Sequence, residues 1–349
     1  REFYGEYNAY YIAWLQHLTK WLFYLSIFSL VGVIWQISTT STDTFFSPIY
    51  SFVVPIWSTL MLNKWDLFNH KRNYIWDHHN FEISETLRAE FYSDDQKEIE
   101  YLGKKIKIKE KQTTILTYLQ TYSIYSFFLG LIVANTYLSH YIKYILPDTY
   151  GELVSCGVST IIMFVIESIF KRAIKRLNEI ENHATDTEYN DGLVIKNVIF
   201  NYINTFFNIY YSILTEHNLS ISIYLFFQYF FKEILIRHFK DFVFSFCANS
   251  QQNIIYETEY EKLYNEYLKS DEEINTIQEH SELVILFSYM TMFACFFPGA
   301  CLLFLVNNHY EMIKDLRTFE KSKIVLPKKS GGIGLWKDIY RYTLYLSII

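Results

Sequence analysis

The segment from Glu282 to Asp315, ELVILFSYMTMFACFFPGACLLFLVNNHYEMIKD, decides the fold class of this chain. It contains two apolar runs that are separated only by Pro298 and Gly299, residue types that favour tight turns. Each run has the length, or nearly the length, that a helix needs to cross a bilayer. The segment therefore predicts two consecutive membrane-spanning helices joined by a short turn.

Similar apolar runs recur along the chain, at 21–37, 47–62, 113–138, 152–170, 193–214, 219–256, 282–297 and 301–319, and an incomplete run begins at 336. With 51% hydrophobic and 19% aromatic residues, the chain has more apolar side chains than a soluble core of 349 residues buries. We predict an all-α, polytopic membrane protein, a bundle of eight transmembrane helices and the start of a ninth. We expect one transmembrane domain over residues 1–349, cut from a longer protein.

The positions of Lys and Arg predict which loops face the cytosol. These residues concentrate in the loop 63–112, in the connection 171–196 and after residue 315, whereas the intervening connections contain only Lys143. Basic residues are kept on the cytosolic side because their translocation is costly. We therefore expect these three segments to be cytosolic, with a partly helical region at 81–111. The protein itself is expected in the plasma membrane or an intracellular membrane.

Charge and cysteine usage exclude several classes of function. The formal net charge is −6 and no basic stripe with interleaved aromatic residues is present, which argues against a nucleic-acid partner. The four cysteines lie in or beside apolar runs and form no C-x-x-C pair, so a disulfide framework or a zinc site is not expected.

Acidic residues recur at helical spacing near the predicted cytosolic ends of the last three complete helices. Five acids and one asparagine form three pairs, and each pair lies on one face of its helix. The pairs are Asn253 and Glu257, Glu279 and Glu282, and Glu311 and Asp315. At about 1.5 Å per residue from the turn at 298–299, Glu311 lies about 20 Å and Glu282 about 24 Å below the outer surface. Both of these pairs thus lie at a similar depth in the inner part of the bilayer.

Carboxylates at that depth require a cation, because each one costs at least a few kcal/mol when isolated. Lys314 is next to Asp315 in sequence and is expected to point elsewhere. Several carboxylates and one amide carbonyl suit Ca²⁺, and five negative charges balance two divalent ions closely. Two other interpretations are ordinary acids at helix ends and a di-iron bundle, but Glu279 and Glu282 lack the Glu-x-x-His motif of the latter.

Polar residues also form rows along two consecutive predicted helices. The helix predicted at 193–214 has one polar face, formed by Asn197, Asn201, Asn204, Asn208 and Ser212. The helix predicted at 219–256 has a polar row at successive i+4 steps, formed by Glu233, Arg237, Asp241, Ser245 and Asn249. Asparagine is unfavourable against lipid tails, so the first row must meet another helix or water. The rows indicate either interhelical hydrogen bonding or a hydrophilic groove for ions or phospholipid headgroups.

Three blocks of the sequence resemble the anoctamin (transmembrane-16) family: FYGEYNAYYIAWLQHLTKWL at 3–22, ENHATDTEYNDGLVIKNVIFNYINTFFNIYY at 181–211, and residues 282–315 followed by SGGIGLWKDI at 330–339. The resemblance implies ten transmembrane helices, a homodimer and two Ca²⁺ ions per subunit between the sixth, seventh and eighth helices. The family's ligands fall on the same six residues selected above. It also implies that a cytosolic N-terminal domain and the final helices are missing from this chain.

Two positions depart from the family pattern. Cys247 occupies the place of a hinge glycine that many members have in the sixth helix, and Ala248 replaces the basic residue of the anion-channel members. The second departure weakens the case for a chloride channel. The expected function is a Ca²⁺-activated phospholipid scramblase, not an enzyme, that moves headgroups along a groove formed by the third to seventh helices. The alternatives are a Ca²⁺-activated chloride or non-selective ion channel and a membrane tether without transport.

Overall fold

A computed structural model describes residues 5–39, 44–76, 85, 88, 91, 96–101, 104–109, 115–146, 148–215, 276–321 and 330–348. These residues belong to two compact units, one formed by Arg1–Phe81 and Thr215–Ile349 and the other by Glu82–Leu214. The predicted run 219–256 lies outside the described residues. The expectation of one domain over residues 1–349 stays a prediction.

The described residues form eight α-helices and one β-hairpin. The helices are α1 (Gly5–Thr39), α2 (Phe46–Trp76), α3 (Ile115–Ile145), α4 (Asp148–Ile180), α5 (Asp186–Thr215), α6 (Thr276–Met292), α7 (Ala300–Lys321) and α8 (Trp336–Ile348). Every predicted apolar run within the described residues overlaps one of these helices, although the run 282–297 continues past the end of α6, and this supports the predicted helical architecture. The helices also include polar residues at their ends, so that α1 begins well before residue 21 and α2 continues into the predicted loop 63–112.

Two helices of the described part are long and apolar enough to cross a membrane by length and composition: α1, and the stretch Leu153–Ile180 of α4. The count of eight transmembrane helices is therefore not confirmed and stays a prediction.

The hairpin corrects the prediction for the region 81–111, which was expected to be partly helical. Strand β1 (Gln96–Tyr101) pairs with β2 (Lys104–Lys109) in antiparallel register, with Ile99 opposite Ile106. In β2 the sequence KKIKIK alternates charged and apolar residues, a period of two that fits a strand and not a helix. The helical prediction is thus wrong for these two segments.

Around α1, the first unit packs four other helices: α1 contacts α2 and α7, while α8 contacts α2 and α6. The fully buried Trp14 joins these layers, since its ring lies 5.0 Å from that of Trp65 on α2 and 4.8 Å from that of Tyr340 on α8. Its indole Nε1 also donates a hydrogen bond of 3.2 Å to the Tyr340 hydroxyl. Substantial aromatic burial of this kind stabilises the helix arrangement that carries the acidic residues.

Near the other end of α1, the helix lies close to the turn that precedes α7. The Ser29 hydroxyl donates a 2.6 Å hydrogen bond to the Pro298 carbonyl. A Cβ atom at Gly32 would lie 2.6 Å from a ring carbon of Phe46 and 3.4 Å from the Pro298 side chain, so the absence of a side chain permits this approach. Further along, Asn308 donates to the Thr19 hydroxyl at 2.6 Å, which sets α7 alongside α1.

The second unit contains α3, α4, α5 and the hairpin. Its helices enclose a core in which Phe170 stacks on Phe200 with ring centroids 3.7 Å apart and Phe128 meets Phe170 edge-on at 5.2 Å. Between α4 and α5 the chain turns at Asn182, which has a positive φ of 51°. Thr185 caps α5, since its hydroxyl accepts the Glu188 amide at 3.2 Å and the Glu188 carboxylate accepts the Ala184 amide at 3.2 Å.

Candidate functional site

Three of the predicted metal ligands converge in the first unit. Glu279 on α6 and Glu311 and Asp315 on α7 each offer a carboxylate oxygen within 4.8 Å of the other two. The spacing of four residues places both α7 acids on one face. A separation of this size is about twice the Ca²⁺–oxygen bond length of roughly 2.3–2.6 Å, so one ion could contact all three oxygens.

Glu311 shows that these residues fit a cation. Glu311 is 3% exposed, and its Oε1 atom makes no hydrogen bond within the described part of the chain. A buried carboxylate oxygen without a partner is costly, and a hard divalent ion would satisfy it. The donor set, which contains oxygen atoms only, is of the type that Ca²⁺ prefers and Zn²⁺ does not.

Lys314 does not point away from the site as expected. Its ammonium group contacts Oε2 of Glu311, one turn back along α7. The sequence interpretation considered only its immediate neighbour Asp315, whereas residues three apart on a helix lie side by side and can pair. The prediction for Lys314 was therefore wrong.

The other three predicted ligands are not part of this three-acid group. Glu282 lies one turn from Glu279 on α6, and its Oε1 accepts a 3.0 Å hydrogen bond from Gln278. Asn253 and Glu257 lie outside the described residues. Ligation by the full set of six therefore stays a prediction, with three members brought together here.

Tyr11 is a site residue that the sequence interpretation missed. Its hydroxyl donates a 2.6 Å hydrogen bond to Oδ2 of Asp315, and both residues are 2% exposed. The Tyr11 ring meets His280 edge-on at 5.1 Å, and His280 stacks on Trp336 at 5.2 Å. The contact joins α1 to α7 across 304 positions of sequence. No spacing pattern indicates such a pair among the 31 tyrosines of the chain.

We expect Tyr11→Phe to weaken Ca²⁺ binding about tenfold, because groups that hydrogen-bond a metal ligand orient it and raise affinity by this order. Isothermal titration calorimetry of the purified full-length protein measures the effect. The matched control is Tyr10→Phe, which removes a buried hydroxyl that donates to Asn73 at 2.7 Å and not to an acid. Equal affinities for the two variants would contradict the role of Tyr11.

The asparagine face of α5 is buried in the second unit. All five of its residues are at most 8% exposed, namely Asn197, Asn201, Asn204, Asn208 and Ser212. Asn204 donates to the Met163 carbonyl and Asn208 to the Ser159 hydroxyl on α4, both at 3.2 Å. For these two residues the structure thus shows interhelical hydrogen bonding, one of the two interpretations. The second row, Glu233, Arg237, Asp241, Ser245 and Asn249, lies outside the described residues.

Some hydrogen-bonding capacity remains on this face. Oδ1 of Asn204 and Oδ1 of Asn197 accept no hydrogen bond from the part of the chain that the structure describes, and the Ser212 hydroxyl makes none there either. On α3, Asn135 joins the same network by donating to the Ser159 hydroxyl at 3.0 Å. Polar groups therefore cross the interface of all three helices.

A second buried polar cluster lies where α4 passes into α5. The Lys196 ammonium contacts Oε2 of Glu181 and lies 2.8 Å from Oδ1 of Asn178. Nε2 of His183 lies 3.1 Å from Oε2 of Glu181 and 3.2 Å from Oδ1 of Asn178. Both oxygens are acceptors, so Nε2 carries the proton. The Asn178 amide donates to the Tyr189 carbonyl at 2.9 Å, which fixes the orientation of Oδ1.

These contacts change the acidity of Glu181. Burial alone would raise its pKa, but hydrogen bonds from His183 and Lys196 and the Lys196 charge outweigh burial and lower the pKa to about 2. Because the folded-state pKa lies below the ordinary value of 4.5, the stabilisation is complete above pH 4.5 and is lost as the pH falls toward 2.

We therefore expect Glu181→Gln to melt at a lower temperature than the wild type at pH 6, and the difference to shrink steadily between pH 4.5 and pH 3. Thermal unfolding in detergent at several pH values measures it. Glu179→Gln, which changes an exposed acid two residues earlier, near the end of α4, is the control. A difference that stays constant across this pH range would contradict the assignment.

A family model described as "Anoctamin: Calcium-activated chloride channel" matches residues 1–349. Anoctamin-10 of Mus musculus is 21% identical over 378 residues, covering 100% of this chain and 56% of that protein. Anoctamin-5 of Homo sapiens is 20% identical over 382 residues, covering 90% of this chain and 42% of that protein. The chain spans about half the length of these curated relatives.

Proposed function

Since this chain belongs to the anoctamin family, whose members are membrane proteins and include Ca²⁺-activated scramblases and channels, we propose that it is part of a Ca²⁺-activated phospholipid scramblase. The observation that carries the proposal is the convergence of Glu279, Glu311 and Asp315 with a buried, unsatisfied oxygen on Glu311. A protein that only tethers membranes has no need of such a group. The resident membrane is the plasma membrane or an intracellular one.

The proposed Ca²⁺ centre uses residues from several helices. Glu279, Glu311 and Asp315 would hold one ion. Together with Glu282, Asn253 and Glu257 they would form the two ion positions per subunit that the family pattern implies. When bound, Ca²⁺ supplies the positive charge that lets these acids share one site. Tyr11 orients Asp315 through its hydroxyl, and the aromatic rings of His280 and Trp336 support Tyr11.

The asparagine face of α5 supplies the proposed path for headgroups. In the present structure this face is closed by α4, through the hydrogen bonds of Asn204 and Asn208. Separation of α4 from α5 would expose a row of neutral amides, each of which both donates and accepts hydrogen bonds. Such a surface suits zwitterionic phospholipid headgroups, which carry a phosphate and an ammonium group.

A Ca²⁺-activated ion channel is the second candidate, and the description of the matching family as a calcium-activated chloride channel favours it. A chloride-selective path would need cations along its narrow part. Lys196, which extends from α5, is already engaged by Glu181 and Asn178, and Ala248 replaces the basic residue of anion-channel members. Scrambling is therefore the first proposal and non-selective ion conduction the alternative.

Reconstitution of the full-length protein in liposomes tests the proposal. Dithionite bleaching of fluorescent phospholipid reports scrambling, and release of trapped chloride or potassium reports conduction. We expect bleaching to continue past the outer leaflet only when Ca²⁺ is present. Ca²⁺-dependent ion flux without lipid movement would support the channel instead, and neither activity at saturating Ca²⁺ would refute transport and leave a homodimeric tether.

A further inference from the structure

Lys314 is the one cation that contacts the three-acid group within the described residues. Its ammonium group reaches Oε2 of Glu311 on the same helix. The Glu311 side chain is 4% exposed, whereas that of Lys314 is 25% exposed. The pair thus consists of a fixed, buried acid and a base whose side chain still reaches water.

The two α7 acids are held in different ways. Asp315 receives a hydrogen bond from the neutral hydroxyl of Tyr11, which supplies no counter-charge of its own. Glu311 has a full counter-charge in Lys314, on its Oε2 side, while Oε1 is unsatisfied within the described residues. A carboxylate binds Ca²⁺ through one or both of its oxygens, so a bidentate ion and the ammonium group compete for Oε2.

We propose that Lys314 is a tethered counter-ion of the metal centre, which neutralises Glu311 in the absence of metal and which Ca²⁺ must displace. The flexible four-carbon stem of lysine allows this displacement, because the ammonium group can move to water while the stem stays on the helix. Lys314 thereby sets the Ca²⁺ concentration at which the site fills. The inference rests on the proposed Ca²⁺ centre, but it does not depend on whether lipid or ions are transported.

Two consequences separate this role from a purely structural ion pair. Loss of the Lys314 charge removes a competitor, so Ca²⁺ should bind more tightly. The same loss leaves Glu311 without its counter-charge when metal is absent, so the metal-free protein should be less stable. A structural ion pair predicts only the second effect, since it has no competition with metal.

The test is Ca²⁺ binding by Lys314→Met in the full-length protein, measured by calorimetry, together with thermal unfolding in EGTA and in saturating Ca²⁺. We expect affinity to rise about tenfold, because solvent only partly screens the repulsion between Ca²⁺ and an ammonium group that contacts the same acid. The melting temperature in EGTA should fall, and the shift caused by Ca²⁺ should grow.

Two further variants complete the design. Lys314→Arg keeps the charge and should bind Ca²⁺ with close to wild-type affinity. Arg317→Met removes the same charge from an exposed position of α7 and should change affinity less than twofold. Lys314→Gln replaces the methionine variant if the latter does not fold.

The outcomes separate the two proposals. Wild-type protein that shows neither calorimetric binding nor a Ca²⁺-dependent melting shift would overturn the metal centre itself. Wild-type binding with unchanged or weaker affinity in Lys314→Met would overturn the counter-ion role alone. An equal gain in Arg317→Met would also overturn it, because the effect would then be long-range charge and not displacement.

Discussion

Asp315→Asn is expected to raise the Ca²⁺ concentration for half-maximal lipid transport about thirtyfold, which corresponds to ~2 kcal/mol of binding free energy. The substitution preserves the size of the side chain, and its carbonyl oxygen can still accept the Tyr11 hydrogen bond. What it removes is one negative charge from a buried group of three. Ligand charge is a principal determinant of Ca²⁺ affinity, so the loss appears directly in the dose response.

Scrambling rates in liposomes at buffered free Ca²⁺, with calorimetric binding in parallel, measure this shift. Asp338→Asn is the matched control, because Asp338 is a half-exposed acid on α8 whose partner is Arg341 at 3.6 Å. Glu282→Gln should act in the same direction as Asp315→Asn if the family's ligand set holds for this chain. An unchanged dose response in Asp315→Asn would refute the site.

Lys196→Met is expected to lower the free energy of unfolding by about 2 kcal/mol, between the values for exposed and for fully buried ion pairs, because both partners are partly buried. Glu181 has a side chain only 18% exposed and would keep its charge without the ammonium group that now neutralises it. Oδ1 of Asn178 would lose its 2.8 Å contact at the same time. The connection between α4 and α5 should therefore open locally before the rest of its unit.

Thermal melting in detergent gives the size of the effect, and hydrogen exchange over residues 176–196 gives its location. Lys175→Met serves as control, since it removes the same charge from an exposed position of α4. Loss of an exposed charge of this kind costs less than about 1 kcal/mol. If the melting temperature fell equally in both variants, the cluster around Glu181 would contribute no more to stability than the control residue does.

The sequence predicted the part of the site that depends on local geometry. Glu311 and Asp315 share a face because they are four residues apart, and the short link at Pro298 and Gly299 makes α6 and α7 neighbours that contact each other. Glu279 on α6 could therefore be expected near the α7 acids. Helical periodicity and turn chemistry are sufficient for these statements.

Contacts between distant segments could not be predicted in this way. Tyr11 meets Asp315 across 304 positions, and only the packing of α1 against α7 brings them together. For the asparagine face of α5, the sequence indicated that a partner must exist but not that α4 supplies it. The hairpin at 96–109 was missed because its period-two alternation is short and lies in a strongly charged region.

The hydroxyl of Tyr11 has a practical consequence for reading genetic variation in this chain. It belongs to α1, 304 positions along the polypeptide from Asp315, the acid to which it donates a hydrogen bond. A survey that scores substitutions by distance along the gene would class a change at this codon as remote from the acidic cluster. The fold instead places the codon's side chain beside the proposed metal ligands.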